Sequence, residues 1–147
     1  MTVDAYSQYA DELGPQRWEA YSESLADIAG KAKDALILAA EEGGKVVGSL
    51  ALYRLLPEDR PWPKDWAFIR AMGVAADRRR AGVGRRLIQE AIERAREWGS
   101  PALFLRSSLM MAAAIKLYDG VGFERVPEYE EEVRPGFWIT AHLLKLG

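Results

Sequence analysis

The stretch Met72-Gly73-Val74-Ala75-Ala76-Asp77-Arg78-Arg79-Arg80-Ala81-Gly82-Val83-Gly84-Arg85-Arg86-Leu87 decides how this chain folds. An apolar run ends at Val74, a short arginine-rich loop follows, and two glycines open a helix. The first N–H groups of a helix have no intrahelical partner and lie at the positive end of its dipole. Gly82 and Gly84 let a phosphate approach that backbone, and neighbouring guanidinium groups add charge-assisted hydrogen bonds, an arrangement suited to a pyrophosphate. A P-loop would need Gly-Lys-Ser/Thr at the helix start, but Gly84 is followed by Arg85. A dinucleotide fingerprint would need a third glycine where Leu87 stands. A tight turn carrying solvated arginines fits the same two glycines, so the loop alone leaves both readings open.

Outward from this stretch, the spacing predicts a helix over Gly82 to Trp98. Val83, Leu87, Ile88, Ala91, Ile92 and Ala95 keep one apolar face, and Arg86, Glu90 and Arg94 the other. Trp66 to Val74 is the strand before it, and Ala102 to Leu105 the strand after it. Leu109 to Tyr118 reads as a second helix closed by Gly120. Upstream, Ala35 to Ala40 and Lys45 to Leu52 form a hairpin about Glu41-Glu42-Gly43-Gly44, and Leu55 to Asp65, with three prolines, is a loop. Residues 4–31 read as helix, broken near Gly14-Pro15, with Trp18, Tyr21, Leu25 and Ile28 on one apolar stripe. No first strand is expected among residues 1–10. Two last strands fall near Phe123–Tyr129 and Phe137–Leu144, with the acidic run Glu130-Glu131-Glu132 as the turn between them. The expectation is one α/β (α+β) domain over residues 1–147, with a mixed, mainly antiparallel sheet of about six strands and helices on both faces.

Composition narrows the chemistry. With 147 residues the chain can bury a full core, and the absence of cysteine excludes disulfides, thiolate metal sites and a cysteine nucleophile. A single histidine, His142, argues against a metal site. The sequence has no membrane-length apolar run and no signal-peptide pattern at Met1 to Asp4, which implies a cytoplasmic protein without membrane partners. Net charge is −2, unevenly spread. Residues 1–30 carry six acids against Arg17, whereas residues 70–106 carry nine arginines against Asp77, Glu90, Glu93 and Glu97. Basic residues gathered at one helix start, in an acidic chain, suit a local anion better than a nucleic acid.

Arg79-x-x-Gly82-x-Gly84 resembles the Arg/Gln-x-x-Gly-x-Gly/Ala signature of the GNAT superfamily of acetyl-CoA-dependent N-acetyltransferases. Ala114-Ile115-Lys116-Leu117-Tyr118-Asp119-Gly120-Val121-Gly122-Phe123 is similar to the second conserved block of that family, and the two blocks stand in the right order and spacing. The resemblance implies acetyl-CoA as cofactor and a small-molecule or protein amine as acceptor. It places the CoA pyrophosphate on the backbone of Arg79, Arg80, Ala81, Gly82, Val83, Gly84 and Arg85, and the pantetheine arm along Met72 and Val74. It sets Tyr118 near the thioester sulfur, as the acid that protonates the departing thiolate. Dimers are common in the family, so a homodimer is a further implied partner.

Three departures accompany the resemblance. Met111 stands where the family usually has an asparagine that bonds the cofactor arm. Ala67 to Ala71 offers no carboxylate where many members place a base, which leaves Asp65, Glu19 or Glu23, or an amine that arrives deprotonated. The usual first strand has no candidate. The first and second departures motivate an alternative, a GNAT-fold protein that binds acyl-CoA without transferring it. The acceptor is open: Trp18, Tyr21, Trp62, Trp66, Phe137 and Trp138 would suit a cationic amine, whereas Arg54, Arg70 and Arg106 would suit a carboxylate.

Overall fold

The computed structural model describes residues 2–6 as backbone, then 35–54, 63, 65–75, 82–108 and 112–146. Strand β1 (Thr2–Tyr6) is followed by β2 (Ala35–Glu42), β3 (Lys45–Tyr53) and β4 (Ala67–Val74). Helix α1 (Val83–Glu97), β5 (Ala102–Ser108) and α2 (Ala112–Val121) come next. The chain closes with β6 (Glu124–Arg125), a 3₁₀ turn (Pro127–Tyr129), β7 (Glu131–Arg134) and β8 (Phe137–Lys145). The strands form one sheet in the order β1-β2-β3-β4-β5-β8-β6, and β7 also pairs with β8. Every pairing is antiparallel except β4 with β5, whose crossover is α1.

Three expectations need correction. Residues 4–6 are strand rather than helix: Thr2 to Tyr6 pairs antiparallel with Glu41 to Ile37. The apolar stripe read as helix begins only at Trp18, and the open edge of β2 supplies the hydrogen bonds that extend the N-terminal residues. The rest of that helix reading, residues 7–31, lies outside the described residues. The acidic run is not a turn, since Glu131 and Glu132 belong to β7, paired with Ile139 and Trp138, and the reversal occurs at Pro135-Gly136. Helix α2 runs on to Val121 and is closed by Gly122, whose φ of 117° only glycine adopts readily. With β1 and β7 added, the sheet has eight strands rather than six.

The core lies mainly between the sheet and α1. Val83, Leu87, Ile88, Ala91, Ile92 and Ala95 are buried, the same six residues the periodicity selects, and pack with Leu38, Leu50, Leu52, Ile69, Leu103 and Leu105. Helix α2 joins this face through Leu117 and Tyr118. Gly48 on β3 makes the close approach possible. A Cβ there would lie 2.8 Å from Val83 Cγ1, 3.1 Å from the Gly73 carbonyl oxygen and 3.2 Å from Leu87 Cδ1. Both described helices therefore sit on one face. The opposite face carries a smaller cluster of Phe68, Phe104 and Ala141, flanked by Tyr53, Trp66, Val126, Tyr129 and Leu143.

Two irregularities shape the middle of the sheet. Ala51 pairs with Arg70 but Ser49 pairs with Gly73, so β4 carries one extra residue, a β-bulge. Beyond it the faces exchange. Phe68 belongs to the aromatic cluster and Arg70 lies beside Tyr53 there, while Met72 and Val74 pack against the core on the helical face. The second irregularity is a fork. Rungs between β4 and β5 run from Ala67↔Leu103 to Ile69↔Leu105 and then stop, although β4 continues to Val74 and β5 to Ser108.

Candidate active site

Helix α1 starts beside the open end of this fork. Gly82 takes φ 83°, a left-handed conformation, and contributes no side-chain cap. The first helical bond is donated by the Arg86 N–H to the Gly82 carbonyl at 3.0 Å. The first turn holds no acidic residue, and Arg85 and Arg86 are exposed there. Two cations at the positive end of a helix dipole oppose helix formation, by about 0.3–1 kcal/mol each. The charges of this turn therefore do not stabilise the helix, and an anion placed there would offset their cost.

Gly84 has a role that its sequence context does not reveal. A Cβ on it would meet Leu117 Cδ2 of α2 at 3.0 Å and Val74 Cγ2 of β4 at 3.7 Å. Its missing side chain lets the first turn of α1 pack against α2 and the end of β4, which gathers three elements at one place. Met72 and Val74 are half-buried on those elements, Val83 is buried, and Gly82 and Arg85 are exposed. The Ala75 N–H, just after β4, donates to the Val47 carbonyl at 2.8 Å and ties the end of that strand to β3. Arg79, Arg80, Ala81 and Met111 lie outside the described residues, as do Trp18, Glu19, Tyr21, Glu23 and Trp62.

Tyr118 stands on the buried side of α2. Its ring centroid is 6.0 Å from Phe123 and 5.4 Å from His142, and burial pushes its phenol up to about 12. It carries its proton across the whole physiological range. His142 is fully buried, and its Nε2 shares a 2.8 Å hydrogen bond with Thr140 Oγ1. Among the described residues its Nδ1 has no partner. Burial, and then the nearby charge of Arg125, hold its pKa below the ordinary 6.5, with Asp119 and Glu130 opposing more weakly.

That depression has a thermodynamic sign. Below pH 6.5 the unfolded chain binds a proton at this position that the folded chain refuses, so stability falls as pH falls. A chemical-denaturation series should show a loss of up to about 1.4 kcal/mol per pH unit from this group alone, and His142→Gln should remove it. Equal pH slopes in the two proteins below about pH 6.5 would reject this assignment.

The remaining acid and base candidates scatter. Asp65 is exposed just before β4. Trp66 is not a free wall but part of the aromatic cluster, 5.4 Å from Phe104 and 5.6 Å from Tyr129. Phe137 lies under Arg134 at 4.6 Å, and Trp138 is exposed on the β7–β8 hairpin. Glu130, counted above in an acidic surface run, is held by Arg125 through bonds of 2.6 and 2.7 Å and accepts the Ala141 N–H at 3.1 Å, which lowers its pKa. No local sequence signal marks that carboxylate, because its partners lie five and eleven residues away.

Residues 3–123 match the model of the acetyltransferase (GNAT) family, and the chain belongs to that family. Among curated relatives it is 37% identical over 86 residues to Probable N-acetyltransferase camello of Xenopus laevis, covering 58% of this chain and 37% of that one. It is 30% identical over 90 residues to N-acetyltransferase family 8 member 3 of Rattus norvegicus, covering 61% and 39%. The chain thus spans about two fifths of the length of the curated relatives it matches. The fold is that of solved acetyltransferases. The IAA acetyltransferase from Bacillus cereus superposes with TM-score 0.71 at 19% identity, over 99% of both chains. An acetyltransferase-type protein from Salmonella typhimurium, solved with its cofactor acetyl-CoA, gives 0.68 at 18% identity, over 100% of this chain and 94% of that one. Among the described residues no helix is long and apolar enough to cross a membrane.

Proposed function

We propose that this chain is an N-acetyltransferase that moves the acetyl group of acetyl-CoA to a primary amine of a small molecule or protein by direct attack. The observation that carries the reading is the first turn of α1: uncapped by Gly82, free of acids, flanked by Arg85 and Arg86, and set beside the fork between β4 and β5. Family membership supports the same chemistry. Acetyl-CoA, when bound, supplies a thioester whose carbonyl carbon an unprotonated amine attacks. The N–H groups of Gly82 to Arg85, with Arg79, Arg80 and Ala81 before them, would hold its pyrophosphate. Met72 and Val74 offer backbone along the fork for its arm, and Met111 would pack against that arm without a hydrogen bond. Tyr118 gives its proton to the departing sulfur. Alignment of amine and thioester supplies most of the rate. No carboxylate stands among Ala67 to Ala71, so the amine loses its proton through solvent or reaches the site already neutral.

That missing carboxylate favours a second reading, an acyl-CoA-binding protein without transfer. Calorimetric titration with acetyl-CoA, followed by a thiol-release screen over amines, separates the two. Wild type should bind in the micromolar range, and Arg85→Glu should weaken binding at least about tenfold, or about 1.4 kcal/mol. Arg85 is exposed, and an acid in the first turn favours the helix, so the variant should fold at least as well as wild type. It is a cleaner probe than Gly84→Glu, which would also press on Leu117. Binding without any amine-dependent thiol release would leave the second reading, and no binding to folded wild type would remove both.

A further inference from the structure

On the sheet face opposite α1, the last paired side chains before the fork are Phe68 and Phe104, with ring centroids 5.9 Å apart. Two residues further along each strand, where the rungs have stopped, stands an arginine: Arg70 on β4 and Arg106 on β5. Strand alternation keeps both on this face, ahead of the β4 bulge. Each has a neighbour on this face. Arg70 lies beside Tyr53, where its charge opposes the rise that burial causes in the phenol, and Tyr53 in turn packs on Phe68 at 6.3 Å. Arg106, with its side chain only 16% exposed, meets Glu131 of β7 at 2.6 Å. Among the described residues the mouth of the fork therefore has two guanidinium groups and one carboxylate, above a floor of Tyr53, Phe68, Phe104, Trp66 and Tyr129.

We infer that the acceptor is an amine bearing its own carboxylate, which seats on Arg70 and Arg106 while the amine enters the fork. This rests on the proposed acetyl transfer and names its acceptor class. A guanidinium has five N–H donors in a planar fork, a geometry that matches a carboxylate. An anion beside an apolar floor is bound more strongly than one in open water, because solvent screens it less. Glu131 adds a partner for the ammonium form of such an acceptor on arrival and disfavours a bare dianion. A polycationic acceptor would instead meet two like charges at the entrance.

The test compares acceptors that differ only in the carboxylate. Phenylalanine and alanine are each assayed beside their amides and the amines phenethylamine and ethylamine, with spermidine as the polycation, by thiol release from acetyl-CoA. Binding of the same compounds is measured separately by calorimetry, without acetyl-CoA. The expected result is a kcat/KM at least about tenfold higher for the amino acids, carried mainly by KM. In Arg70→Gln the ratio between amino acid and decarboxylated amine should fall towards one, and Arg70→Lys should restore part of it. Arg70 is exposed, so neither variant threatens folding, and Arg106→Gln gives an independent second reading. Amines or spermidine turned over as well as amino acids would overturn the inference, as would a preference for the carboxylate that survives in both Gln variants. Failure of the acetyl-transfer reading looks different: no thiol release with any amine, while Arg70-dependent binding of the amino acids persists.

Discussion

Replacing Tyr118 with phenylalanine should lower kcat by about 100-fold while acetyl-CoA affinity changes by less than about threefold, the pattern expected when a proton donor is lost but its ring remains. The ring contacts with Phe123 and His142 survive the substitution, so the fold is kept. A phenol at about 12 is a weak acid beside a thiol of ordinary pKa about 8.5, and in water such a transfer would run uphill. The cause of the shift resolves the mismatch. Burial raises the phenol because it penalises the charged form, and a thiolate formed at the same dry place is penalised in the same way. The two values therefore move together, and the proton passes as the carbon–sulfur bond opens. It follows that any loss of rate between neutral pH and about pH 10 does not come from ionisation of Tyr118. Thiol-release kinetics of both proteins across that range provide the check. A kcat within twofold of wild type would reduce Tyr118 to a packing residue.

The largest expected loss of stability is at Gly48. Gly48→Ala places a methyl group 2.8 Å from Val83 Cγ1 and 3.1 Å from a backbone oxygen, and the oxygen cannot swing aside as a side-chain tip can. Overpacking of this kind costs about 2 kcal/mol. For a chain of this size that is a fall in Tm of about 6 °C. Relief comes most easily by lifting the first turn of α1, so acetyl-CoA binding should weaken as well. Gly120→Ala is the matched control. Gly120 lies in α2 with open space around its missing Cβ, so alanine there should raise stability by about 0.5–1 kcal/mol. Differential scanning calorimetry of the two variants should show shifts of opposite sign, and an unchanged Tm for Gly48→Ala would mean that α1 does not depend on that contact.

Much of this architecture is legible in the sequence because it is local. The six buried positions of α1 follow from their own spacing, and the hairpin of β2 and β3 from Gly43-Gly44, although Glu41 and Glu42 extend β2 rather than the turn. What escapes is set by distant partners. Thr2 to Tyr6 becomes a strand because β2 offers an edge, and five residues carry too little pattern to reveal it. Glu131 and Glu132 look like a solvated turn because both are charged and exposed, yet β8 pairs with them. In the candidate site, the glycine pair is visible, but the direction of the missing Cβ at Gly84 is not. That direction depends on where α2 lies. The burial of His142 is hidden for the same reason: its cover comes from Tyr118 on another element.

The bulge in β4 makes residue count a constraint on this strand alongside residue identity. In an unbroken strand Phe68, Arg70, Met72 and Val74 would all share one face. The extra residue between Arg70 and Gly73 changes the parity, so that one continuous segment serves the aromatic face with its first half and the helical face with its second. Removing a single residue there would turn Met72 and Val74 away from the first turn of α1 and bring the backbone of the fork out of step with it. An insertion or deletion of one residue between Ile69 and Gly73 would therefore disturb both faces at once, whereas a substitution disturbs only the face its side chain is on. Relatives of this chain should conserve the length of that stretch.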